Sequence, residues 1–140
     1  MGTLVDLRDS LTEFDIQRES LAAISRTAEK YVDLNREQLL EGRRADKTRM
    51  PNYSYISVKF YGKPEGPIRL YDTGAFQESF KLDVGSEDLE LVADDIHGLE
   101  ERFGNEIYGL ATENQEYYNQ DIFLPELADA IETKTGLVLN

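Results

Sequence analysis

The residues able to do acid–base or nucleophilic chemistry are few, and their spacing assembles none of the familiar centres. The single imidazole, His97, stands in Asp95-Ile96-His97-Gly98, a stretch that reads as a turn. No Gly-x-Ser-x-Gly element accompanies it, so no triad can be written and a surface histidine is expected. Five carboxylates crowd one region: Glu87, Asp88, Glu90, Asp94 and Asp95. They lack the Asp-x-Asp-x-Asp-Gly spacing of a calcium loop, so they read as the outer face and turn of a hairpin. Gly98, Gly104 and Gly109 follow no helix-start pattern, which leaves no phosphate loop. Tyr53, Tyr55, Phe60 and Tyr61 are interleaved with basic residues, a pattern that can stack bases. The same residues also suit plain β-structure. The expectation is a protein that is not an enzyme, with no catalytic residue, no metal and no cofactor.

The elements that position these groups centre on Arg69–Asp83, RLYDTGAFQESFKLD. A short extended segment runs into Asp72-Thr73-Gly74, then one or two helical turns, then a strand from Lys81. Asp and Thr favour helix starts because their side-chain oxygens take free N–H groups of the first turn. Gly74 permits a sharp change of direction, and Phe76 and Phe80, four apart, share the face that points into the core. Upstream, Asp15 is placed to cap a long helix over 15–42, with Ile16, Leu21, Ile24, Ala28, Tyr31, Val32, Leu39 and Leu40 on a 3.6-residue stripe. Asn35 interrupts that stripe, and Gly42 ends it. The helix would be about 26 residues, roughly 40 Å at 1.5 Å per residue. Residues 43–67 read as a long charged loop or arm, in which Tyr53–Tyr61 alternates as a half-buried strand. Phe80, Leu82 and Val84, then Leu89, Leu91 and Ala93, alternate about Gly85–Asp88 as a β-hairpin. Residues 96–140 are mostly helical. Leu99–Phe103 forms a turn ended by Gly104, and Thr112–Gln115 a weak capping box. Pro125 kinks or restarts the last helix, whose buried side is Leu124, Leu127, Ala128 and Ile131. The fold class is therefore α+β: a long N-terminal helix and a C-terminal helix on a small antiparallel sheet, as one domain over 1–140.

Composition bounds the partners. The chain of 140 residues carries 15 Lys and Arg against 28 Asp and Glu, with no Cys and no Trp. Disulfides and thiolate metal ligands are excluded, in keeping with a reducing cytoplasm. The N-terminus has no basic region followed by an apolar run, so no signal peptide is expected, and no stretch is apolar enough to span a membrane. Residues 1–63 hold 11 basic and 10 acidic side chains, whereas 64–140 hold 4 and 18, giving +1 and −14. An acidic half disfavours free DNA and anionic membranes as ligands. Arg43, Arg44, Lys47, Arg49, Lys59 and Lys63 form the local exception, a basic arm opposed only by Asp46. Such an arm could meet an acidic face (Glu87, Asp88, Glu90, Asp94 and Asp95) on another copy.

From Gly42 the order is Gly42-Arg43-Arg44-Ala45-Asp46, Tyr53-Ser54, Lys63, Gly66, Leu70-Tyr71-Asp72-Thr73-Gly74 and Ser79-Phe80. It resembles the tailed-bacteriophage virion-morphogenesis proteins that complete tails or join heads to tails. The later pieces are Glu101-Arg102-Phe103-Gly104 and Phe123-Leu124-Pro125-Glu126-Leu127. Phe76 and Gln77 stand where that family tends to have Leu and Arg, and its early-loop Trp is absent. The resemblance implies a structural virion protein, assembled in the host cytoplasm, that forms a homo-oligomeric ring at the neck or tail end. Its partners would be portal or connector and tail proteins, with genomic DNA only passing through the lumen and no membrane contact. Two other readings stay open from the residues: an acidic monomeric binding module or DNA-mimic inhibitor, and a small carboxylate-dependent hydrolase.

Overall fold

A computed structural model describes residues 16–71, 74–85 and 88–136. The fold is α+β. Helices α1 (Ile16–Arg26) and α2 (Ala28–Leu40) are followed by α3 (Tyr55–Phe60) and α4 (Ala75–Glu78). Strands β1 (Lys81–Val84) and β2 (Leu89–Val92) come next, then α5 (Leu99–Phe103) and a 3-10 turn at Asn105–Ile107. The described residues close with α6 (Thr112–Tyr117), a π segment (Tyr118–Phe123) and α7 (Leu124–Thr135). The hairpin packs by β1 on α2 and α1, and α7 packs on α1.

The long N-terminal helix is divided at Thr27, and its proposed cap Asp15 lies outside the described residues. Thr27 has φ −105° and ψ 8°. Its Oγ1 donates to the Ala23 carbonyl at 2.8 Å, the back-bonding that bends helices. With that proton committed, the Tyr118 hydroxyl donates to Oγ1 at 2.8 Å. The bend therefore ties the N-terminal helices to the C-terminal ones. Beyond α2, Gly42 closes the helix with φ +75°. The Gly42 N–H reaches the Leu39 carbonyl and the Arg43 N–H the Gln38 carbonyl, a Schellman close. A Cβ at Gly42 would lie 2.3 Å from Pro67 Cγ, so this position requires glycine on two counts.

The core joins Val32 and Leu39 of α2 to Met50, Leu70, Phe80, Leu82 and Ile107. The hairpin forms with Leu82 paired to Leu91 and Val84 to Leu89; Leu82 is buried and Val84 and Leu91 pack against the core, whereas Leu89 is half exposed, so burial alternates along β1 but not along β2. Asp83 and Glu90 are directly opposed on the outer face.

Four further expectations are corrected. Tyr53–Tyr61 is not a strand: Ser54 caps α3, its side chain accepting the Ser57 N–H at 3.1 Å. With no neighbouring strand among the described residues to complete a ladder, six residues satisfy their backbone locally by coiling. The charged loop over 43–67 is not one free arm, since Met50 is buried and its N–H donates to the Gly42 carbonyl at 2.7 Å. The part that leaves the domain is 53–66, closed at its base by the Asn52–Pro67 bridge. The capping box at Thr112 does not form. Ala111 is the N-cap, and Thr112 is already the first helical residue. Leu124 is likewise half exposed, and Ala130 is the buried residue of α7. Pro125 stands in the first turn of α7, as expected of a restart, and Phe123 and Leu124 before it keep right-handed helical dihedrals. The wider π turn just ahead relieves the clash a proline imposes on the preceding carbonyl.

Candidate interaction surface

Buried polar side chains organise the molecule. Asn35, fully buried, donates from Nδ2 to the Ile107 carbonyl at 3.1 Å and accepts the Gly109 N–H at 2.6 Å. Gln38, one turn on, donates to the Gly109 carbonyl at 3.1 Å. Its Oε1 accepts the Ala111 N–H at 2.8 Å and Asn114 Nδ2 at 3.1 Å. One helix face thus supplies the hydrogen bonds that a missing strand would have given to 107–111. Arg36 does the same for the central turn, donating from Nε to the Gln77 carbonyl at 2.6 Å. Gln77 in turn donates to the Arg69 carbonyl at 2.8 Å. No buried side-chain nitrogen or oxygen among the described residues lacks a hydrogen bond.

The structural turn is partly described. Asp72 and Thr73 lie outside the described residues. Gly74 has φ +88°, and a Cβ there would meet the Tyr71 hydroxyl at 2.9 Å. Phe76 and Phe80 pack edge to face with centroids 5.0 Å apart, both against Tyr108.

The basic arm residues separate into two groups. Arg43 pairs with Glu113, and Lys47 reaches the other oxygen of that carboxylate at 3.5 Å. Arg43, then Glu113's own backbone amide, holds the Glu113 carboxyl down at about 2. Arg44 donates to the Phe103 and Arg49 carbonyls at 3.0 and 2.9 Å. Arg49 is exposed beside the short Arg43–Arg49 bridge. These residues bind the 43–50 loop to its own domain. Lys59 and Lys63 belong instead to the projecting 53–66 excursion. Lys59 Nζ donates to the Tyr55 hydroxyl at 3.0 Å and lies 5.7 Å from the Phe60 ring centroid. Lys63 Nζ is 5.8 Å from the Tyr53 centroid.

The acidic face also divides. Asp95 is a helix cap, its two carboxylate oxygens accepting the Leu99 and Glu100 N–H groups at 2.6 and 2.9 Å. Asp94 is held through its backbone N–H by Ser79 Oγ at 2.9 Å. Glu87 lies outside the described residues. Asp88 and Glu90 remain exposed on the hairpin with Asp83 opposite.

Two concavities flank these surfaces. A cleft of about 1100 Å3 runs between the excursion and 93–103, with Tyr53, Ser57, Phe76, His97 and Arg102 among its walls. His97 is exposed in a turn there. A smaller apolar pocket of about 190 Å3 opens between α1, α2, the hairpin and the π segment.

No protein-family model, curated protein or solved structure matches this chain.

Surface character therefore carries the functional argument. Tyr55, Ile56, Phe60 and Tyr61 are 59–74% exposed, and no residue of α3 is buried. Among the described residues, no group of three or more acidic or histidine side chains is arranged to hold a metal ion. No helix among them is long and apolar enough to cross a membrane. The alternation of Tyr53–Tyr61 hid this surface: read as a strand, half of it would have been covered. The signal for a helix was Ser54, an N-cap residue three positions before Ser57.

Proposed function

We propose that the chain is a structural, non-catalytic subunit of a tailed-phage virion, assembling as a ring at the neck or tail end between portal vertex and tail. The observation that carries the assembly reading is the projecting helix α3 with Tyr61. Four large apolar side chains within seven residues stand exposed on an excursion closed at its base. Exposed apolar surface concentrated in one element favours binding of another molecule. The order of motifs from Gly42 to Phe80 supports the virion as the place of assembly. The hairpin's opposed Asp83 and Glu90 favour a second reading, an acidic monomeric module that binds a basic partner.

The deciding experiment is the protein content of purified particles, with electron micrographs of particles assembled without the chain. The chain should be present in stoichiometric amounts, and its loss should give capsids and tails that fail to join. Complete particles that lack the chain would overturn the reading.

A further inference from the structure

Among the described residues β1 and β2 make up the whole sheet, so the far side of β2 is an edge. Bonded and non-bonded pairs alternate along an antiparallel ladder. The Gly85 N–H donates to the Asp88 carbonyl at 2.8 Å, which fixes the phase. Counting back along the register, Asp83–Glu90 and Lys81–Val92 are bonded pairs, and Val84–Leu89 and Leu82–Leu91 are not. The backbone N–H and C=O groups of Leu89 and Leu91 therefore point away from β1, and no described residue bonds them.

The two faces beside this edge differ. On the outer face Asp83 and Glu90 are exposed and directly opposed, and neither is ion-paired with a described lysine or arginine. Like charges across a ladder repel. Lys81 shares that face but stands on β1, away from the edge, where β2 presents Glu90 and Val92. On the inner face Leu82 of β1 is buried, whereas Leu89 of β2 is 46% exposed, so the missing cover lies at the edge. The small apolar pocket opens on that inner face, with Leu82 and Leu89 in its wall.

An extended strand meets all three conditions at once. Its side chains alternate between faces, so it sets a cation outside and apolar groups inside while its backbone bonds the edge. A helix or a single ring would reach one face only. A second copy's β2 is unsuited, because side by side in one sheet it brings its own Asp83 and Glu90 to the same outer face. We infer that the free edge of β2 binds an extended basic segment of a partner protein. The segment runs antiparallel to β2, with a lysine or arginine beside Glu90 and apolar side chains beside Leu89 and Leu91. This is strand addition, in which main-chain bonds hold the segment and alternate side chains select it. The inference goes beyond the assembly reading and does not depend on it.

A short peptide of alternating valine and lysine, blocked at both ends and titrated into the full chain, tests it. Wild-type protein should bind the peptide, and the Leu89 and Leu91 amides should shift in NMR spectra and exchange more slowly. Added salt should weaken the binding. Glutamate in place of lysine should weaken it at least about tenfold. N-methylation of the valines removes the N–H groups that would pair with Leu89 and Leu91, and should abolish binding with the protein untouched. Glu90→Lys should weaken binding about tenfold without lowering the melting temperature. Failure of wild type to bind the lysine peptide overturns the inference. So does binding that tolerates N-methylation or glutamate, or that leaves the Leu89 and Leu91 amides unmoved. Self-association that protects those two amides would assign the edge to a second copy and overturn it as well. Particle content judges the virion reading separately, so either can fail alone.

Discussion

At the scale of single residues, the polar side chains inside the molecule do work that their types alone do not announce. Asn35 breaks an otherwise apolar stripe because it must pair with the Ile107 carbonyl and the Gly109 N–H. Asn35→Ala would leave both backbone groups buried without partners, at a cost of about 2–3 kcal/mol. A urea titration should show a lower midpoint at unchanged slope, with the extrapolated stability falling by that amount. Glu113 makes a second, pH-dependent prediction. Its carboxyl is held at about 2 against the ordinary 4.5, chiefly by the Arg43 hydrogen bond. A lowered carboxyl stabilises the fold fully above its unfolded value and loses that contribution as pH falls through the folded one. The tie between the 43–50 loop and α6 should therefore weaken from about pH 4.5 down to about 2. A carboxyl titration by NMR should place Glu113 near 2, and Arg43→Ala should return it toward its ordinary value.

At the scale of elements, α3 is helical although its residues suit a strand. β-Branched and aromatic residues make strands when a neighbour can complete the ladder. Here Ser54 offers a cap and no strand of the described residues lies alongside. Ser54→Ala should cost about 1 kcal/mol of local helix stability. Because α3 buries none of its residues, that loss should stay local. Hydrogen exchange should quicken at the Val58 and Tyr61 amides, whose acceptors are Ser54 and Ser57, while the melting temperature stays within error. The C-terminal helices follow the opposite rule. Pro125 would have ended an ordinary α-helix, but the π segment ahead of it keeps the rod continuous and turns Tyr118 toward Thr27.

At the scale of the whole molecule, charge is unevenly distributed in sequence yet partly neutralised in space. Arg43 and Lys47 meet Glu113 and Arg26 meets Glu126, so basic residues of the first half are drawn onto the acidic half within one chain, while Lys134 of the acidic half meets Glu19 of the first. Reversing Arg43, Arg44, Lys47 and Arg49 together would therefore disturb the 43–50 loop as well as any contact between copies. The hairpin is a cleaner site. Asp83 and Glu90 repel each other across the ladder. Glu90→Lys should raise stability by about 0.5 kcal/mol in exchanging a like-charged pair for an opposite one. Thermal melting checks this, and a Glu90→Lys chain that melts lower than wild type would show that the two carboxylates do not repel across the ladder.

What the sequence determined by itself was whatever rests on neighbours along the chain. The hairpin about Gly85–Asp88, the Gly42 helix stop and the α5 turn ended by Gly104 are each set by a few adjacent residues and appear where the spacing puts them. Only the tertiary structure decided the rest. Whether Tyr53–Tyr61 pairs or coils, whether Asn35 is a flaw or a clamp, and whether Arg43 reaches outward or back to Glu113 all depend on groups distant in sequence. Backbone and charge must find partners somewhere, and sequence spacing names a partner only when it lies within a turn or two.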